Sequence, residues 1–142
     1  MIRPDNSDRD RDRYPAPMDR ARPPIRLLLA AVMGVAGVAH LASPRPFVQH
    51  LPAEVPAREL LVAGTGIVEL VLAAGLLGPR RWRPAVGIAL AAYLVAVFPA
   101  NLYAAVSDVP IDGVPQGWLR WARLPLQLPL IWAAWWSTRR EP

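Results

Sequence analysis

The chain contains no cysteine and no lysine. Without cysteine there are no disulfides, no thiolate nucleophiles and no Cys-held metals or clusters, so a redox role needs a borrowed cofactor or a partner subunit. Without lysine, all sixteen positive charges are arginine, which we read as a bias toward GC-rich codons rather than chemistry. A glycine-rich phosphate loop, a Ser-His-Asp arrangement and an RNA- or DNA-binding motif are also missing. The two histidines, His40 and His50, stand ten residues apart across a proline turn. Together with Glu69 they fit no metal-ligand spacing, so no metal site is expected.

Charge is scarce along most of the chain and concentrated at its start. Only 19% of the 142 residues are charged and 54% are hydrophobic, with a mean hydropathy of +0.22. Residues 1–24 hold five Asp and six Arg with almost nothing to bury, whereas 25–137 is mostly Ala, Val, Leu, Gly and Trp. A soluble domain of this size mixes charge along amphipathic elements; segregation into a polar tail and long apolar runs points to a lipid bilayer as the solvent. A net charge of +5 would suggest nucleic acid in a soluble protein. Here the arginines flank apolar runs, which indicates membrane orientation and no nucleic-acid partner.

The chain reads as an all-α, four-transmembrane-helix bundle. Residues 1–24 form a disordered, cytoplasmic Arg/Asp/Pro-rich tail. The first span runs from about Pro24 to Leu41; lacking a small-x-small cleavage site at its end, it is expected to stay as a span. Ser43–Pro56, with four prolines and the amphipathic Phe47–Leu51, predicts a short interfacial helix between spans one and two. The second span covers about Ala57–Leu77 and stops at Gly78-Pro79. Arg80, Arg81 and Arg83 make a basic turn, the third span runs from about Pro84 to Val106, and a loop follows over Ser107–Gly117. The fourth span, Trp118–Trp136, is nineteen residues or roughly 28 Å, near the hydrocarbon thickness. Residues 25–138 thus make the membrane domain and 139–142 a cytoplasmic end. Arginine placement puts both termini in the cytoplasm, with Trp118 and Trp121 at the outer interface and Trp82, Trp135 and Trp136 at the inner one.

Polar side chains inside the spans are few. Glu69 lies near the middle of the second span, where an ionisable group costs at least ~2.5 kcal/mol and normally faces a bundle interior. Thr65 is four residues from Glu69, Gly37 is three from His40, and Arg120, Arg123 and Gln127 follow i, i+3, i+7, so each set makes one stripe. Asn101 follows Pro99 in the outer half of the third span. Four inward stripes make a cavity open to the outer face, with Glu69 at its floor and Arg123 as its counter-ion. Pro99, Pro125 and Pro129 free the carbonyls of Val95, Trp121 and Pro125, which Asn101 and Gln127 are placed to satisfy. The plainer alternative stays open: a Glu–Arg pair with amide neighbours simply fixes which way the helices face. On that view His40 is a solvated or capping group, Arg120 snorkels outward, and His50 lies on the surface.

Gly37-Val38-Ala39-His40 followed by Pro44-x-x-Phe47, then Pro52-x-x-x-Pro56, Gly64-x-x-x-x-Glu69 running into Gly75-Leu76-Leu77, Phe98-Pro99-Ala100-Asn101 and Arg123-Leu124-Pro125-Leu126-Gln127 together resemble the DoxX family. That family comprises small four-helix bacterial membrane proteins. The resemblance spans about Ile25 to Thr138. It implies a bacterial inner (plasma) membrane location and an association with redox or stress-response assemblies through a soluble or peripheral oxidoreductase. Relatives that act through cysteines are no model for this chain. The expected function is therefore an accessory or anchoring subunit without independent catalysis or a cofactor of its own. The alternatives are a quinone-binding redox protein, with His40, Asn101 or Gln127 bonding the carbonyls and Glu69 exchanging protons, or a proton-coupled solute carrier acting as a homo-oligomer.

Overall fold

The structure, a computed structural model, describes residues 17–107 and 117–139, the side chains of residues 17–19, 119 and 120 excepted. Among these residues the fold is all-helical: α1 (Pro17–Ala42), α2 (Arg45–Val48), α3 (Arg58–Leu77), a 3-10 turn at Arg80–Trp82, α4 (Arg83–Val106) and α5 (Trp118–Thr138). Arg20–Ala42, Arg58–Leu77 and Arg80–Val106 are long and apolar enough to cross a membrane, by length and composition. The expected tail over residues 1–16, most of the loop after Ser107 and the last three residues lie outside the described residues.

The long helices pack as two close pairs, α1 with α3 and α4 with α5, joined through α1–α5 and α3–α4 contacts. Leu29, Ala30 and Met33 of α1, Leu72, Ala73 and Leu76 of α3, Leu90 of α4 and Ala134 of α5 form the buried core. Outside it the molecule is apolar too. Val35 is 72% exposed, Leu60 75% and Leu128 72%, while Glu69 and Gln127 are buried. Large exposed aliphatics around buried polar groups invert the soluble pattern and match a lipid-facing surface.

Glycines set the helix registers. A β-carbon on Gly37 would lie 2.8 Å from the Gly66 carbonyl oxygen, and one on Gly66 would lie 2.8 Å from the His40 β-carbon. Gly34 faces Ala73 farther along, so α1 and α3 run antiparallel with backbones nearly touching at Gly37–Gly66. Gly87 does the same for the other pair, where a β-carbon would collide with Thr138 and come within 2.7 Å of the Ala134 carbonyl oxygen.

Two boundaries differ from expectation. Helix α1 begins at Pro17 and continues through Pro23 and Pro24, so the segment expected to close the disordered tail is helical from residue 17 on. Proline removes backbone donors, but here packing outweighs propensity: Arg22 is buried and lies over the Trp136 ring at 5.5 Å. The short helix after α1 falls at Arg45–Val48, slightly before the amphipathic Phe47–Leu51. Pro46 occupies its first turn, where a proline's fixed φ suits the helix.

Candidate functional site

Glu69 is the node of the site. The Gly37–Gly66 crossing brings the antiparallel α1 and α3 so close that the His40 ring, leaning back one turn along α1 to the level of Ala36, reaches Glu69. The His40 Nδ1 lies 3.0 Å from Glu69 Oε2 and 2.8 Å from the Ala36 carbonyl oxygen. Both neighbours are acceptors, so Nδ1 carries the proton and shares it between them, the nearer Ala36 oxygen taking the larger part. The other carboxyl oxygen accepts from α4: the Tyr93 hydroxyl donates to Glu69 Oε1 at 2.7 Å. One carboxyl group thereby ties α3 to α1 and α4. Thr65, one turn away, donates to the Val62 carbonyl at 2.8 Å and stands beside the Tyr93 hydroxyl.

Arg123 is not the counter-ion of Glu69, contrary to expectation. Its Nη1 lies 3.3 Å from His50 Nε2. The His50 Nδ1 donates to the Pro46 carbonyl at 2.7 Å, which leaves Nε2 to accept from the guanidinium. The pairing differs because the glycine crossing brings the His40 ring of α1 to Glu69, while Arg123 reaches the turn after α2. His50 is thus half-buried and engaged instead of lying on the surface. Burial first, then the nearby Arg123 charge and the His40 ring, hold its pKa below the ordinary histidine value, outweighing the Pro46 bond. The two histidines flank one aromatic ring. Phe47 stacks on His40 with centroids 3.7 Å apart and on His50 at 6.3 Å. A continuous path of contacts therefore runs from Tyr93 through Glu69, His40, Phe47 and His50 to Arg123.

A second polar group joins α4 and α5. Gln127 Nε2 donates to the Leu94 carbonyl, and Asn101 Nδ2 donates to Gln127 Oε1 at 3.3 Å. Asn101 and Gln127 were expected to serve the proline-freed carbonyls of Val95, Trp121 and Pro125; Gln127 instead serves the Leu94 carbonyl. Asn101 serves Gln127 instead of the backbone. The Arg120 side chain lies outside the described residues. Among those residues no group of three or more His, Cys, Asp or Glu could hold a metal ion.

Tyr93 and His50 were missed as site residues. The signal for Tyr93 was present: Glu69 lies nine residues before Gly78 and Tyr93 ten after Arg83. In an antiparallel helical hairpin such positions sit at equal depth. His50 has the weaker signal of following Phe47 by one helical turn.

The family model for DUF8561, a domain of unknown function, matches residues 29–138. The chain belongs to this family. No curated protein and no solved structure matches it. The matched region holds the whole site, from His40 to Gln127, and begins beyond the arginine-rich start of α1.

Proposed function

We propose that this DUF8561 protein is a four-span protein of the bacterial plasma membrane that acts as an accessory or anchoring subunit of a redox or stress-response assembly. The observation that carries this reading is that the interior polar groups answer one another within the chain: Glu69 is met by Tyr93 and His40, Gln127 by Leu94 and Asn101, and Arg123 by His50. Groups matched in this way orient helices, which is what an anchoring subunit requires. Helix α5, with 21 residues, serves as the fourth span at roughly 30 Å, and α2 lies at the interface. The arginine-rich turn at Arg80–Arg83 and the arginine-rich start of α1 face the cytoplasm with both termini. The resemblance to DoxX proteins supports the redox association. Affinity purification in mild detergent is expected to bring down a soluble or peripheral oxidoreductase. A protein that elutes alone under all growth conditions, oxidative stress included, contradicts the reading.

A second reading rests on the His40–Phe47 stack beside Glu69. An aromatic face next to a carboxyl group bonded to a phenol and an imidazole suits a quinone headgroup that exchanges protons. Quinone extracted with the purified protein and lost in Glu69→Gln favours it. Quinone content no higher than in an unrelated four-helix protein removes it.

A further inference from the structure

The end of the molecule opposite His50 carries a different kind of site. Arg26 of α1, Arg80 and Arg81 of the 3-10 turn, Arg83 and Pro84 of α4, and Ser137, Thr138 and Arg139 at the close of α5 line one cavity of about 410 Å³. That volume is within the range of small-ligand sites. Among the described residues that line it, five of eight are arginines and none is acidic. The guanidinium groups are held in place by their neighbours. Arg81 lies over the Trp82 ring at 5.2 Å, Arg139 over the Trp135 ring at 5.2 Å, and Arg83 Nε donates to the Gly78 carbonyl at 3.3 Å. Stacking on a ring occupies the face of a guanidinium and leaves its in-plane N–H edge for an anion. Ser137 adds an independent observation. It is 3% exposed, its Oγ has no hydrogen-bond partner, and it lines the cavity. Its neighbour Thr138 donates instead to the Ala134 and Trp135 carbonyls. A buried hydroxyl without a partner is costly unless a ligand supplies one.

We propose that this cavity binds a phosphate group, presented by the headgroup of an anionic phospholipid or by a free phosphate. Arg81 and Arg139 clamp its oxygens through paired N–H donors and Ser137 donates its hydroxyl proton to a third. Trp82 and Trp135, 53% and 47% exposed on either side, are placed as interfacial anchors that bring lipid headgroups to this level. The lipid source rests on the membrane reading above; the phosphate chemistry of the cavity does not.

The test uses the full chain in neutral detergent, with thermal midpoint followed against phosphatidylglycerol, phosphatidylcholine and inorganic phosphate. Phosphatidylglycerol is expected to raise the midpoint saturably and phosphatidylcholine to leave it unchanged. A response to phosphatidylglycerol alone identifies the headgroup as the source. An equal response to inorganic phosphate identifies free phosphate as sufficient. Arg81→Gln/Arg139→Gln should raise the half-saturating concentration at least about tenfold and Ser137→Ala about threefold, while Arg45→Gln at the opposite end leaves it as in the parent. Ser137→Ala keeps the test open should the double variant fail to fold. Equal stabilisation by phosphatidylcholine, no response to any of the three probes, or variants that respond like the parent overturn the proposal. In each of these cases, a chain that still fractionates with membranes leaves the membrane reading standing.

Discussion

At the histidine end, acid, imidazole, phenol and guanidinium groups come from α1, α3, α4, α5 and the turn after α2, and they bond to each other. At the arginine end, arginines dominate the described cavity lining, which also holds a buried Ser137 hydroxyl with no partner. In the first arrangement each of these side chains has a partner within the chain; in the second the Ser137 hydroxyl has none. The difference teaches that polar residues in one small helical protein serve two ends in two ways. Self-matched groups fix geometry, and an unmatched buried hydroxyl marks a place for something else to bind.

The largest effect that separates the two ends comes from their glycine crossings. Gly37→Val forces a side chain into the Gly66 carbonyl oxygen, 2.8 Å from the β-carbon position alone. It should cost about 3 kcal/mol in detergent denaturation and detach His40 from Glu69. Gly87→Val does equivalent damage at the α4–α5 crossing, beside Thr138, and should weaken the phosphate response while sparing the histidine end. Equal loss of phosphate response in both variants would break the separation of the two regions.

Glu69→Ala comes next. It removes the acceptor for Tyr93 and for His40, two bonds that tie three helices, and should destabilise by about 2 kcal/mol. The thermal midpoint measures it, and phosphate binding at the other end should keep the parent's half-saturating concentration.

A smaller effect is pH-dependent. Burial and Arg123 hold the His50 pKa down in the folded chain. Below the unfolded value, about 6.5, the opened state binds a proton that the folded state refuses. Stability is therefore fully present above about pH 6.5 and is lost as pH falls from there toward the depressed folded value. Arg123→Gln should move the His50 titration, followed by NMR, part of the way back toward the ordinary value and reduce the acid sensitivity of the thermal midpoint. An unchanged His50 titration would mean that the guanidinium does not act on it.

The smallest change has the opposite sign. Gly64 sits in the same helix as Gly66, but a β-carbon there meets nothing within 4 Å. Gly64→Ala should stabilise α3 by at most about 1 kcal/mol through helix propensity, so a loss of stability would show that Gly64 also serves a crossing.

Much of this organisation is legible in the sequence. Apolar runs bounded by proline, glycine and arginine gave the helices to within a few residues, except where α1 runs back to Pro17. Glu69, His40 and Gln127 stand out because an ionisable or amide group in an apolar run must be answered. Their partners were less legible because pairing depends on register, and register is set by close crossings. Read on depth alone, Arg123 belonged to Glu69. With Gly37 against Gly66, His40 takes that place and Arg123 meets His50. Tyr93 escaped notice as one more aromatic in an apolar helix until its hairpin position was counted against Glu69. The arginine cavity was hidden for a different reason. Its residues come from three separate stretches, each of which reads alone as an ordinary basic flank.

The pairing at Glu69 is the central claim, and a double-mutant cycle on thermal unfolding in detergent tests it most directly. Glu69→Ala is combined with Tyr93→Phe in one cycle and with Arg123→Ala in another. Coupling of about 1 kcal/mol between Glu69 and Tyr93, with additive losses for Glu69 and Arg123, is the predicted result. Additive losses with Tyr93 and strong coupling with Arg123 would contradict it.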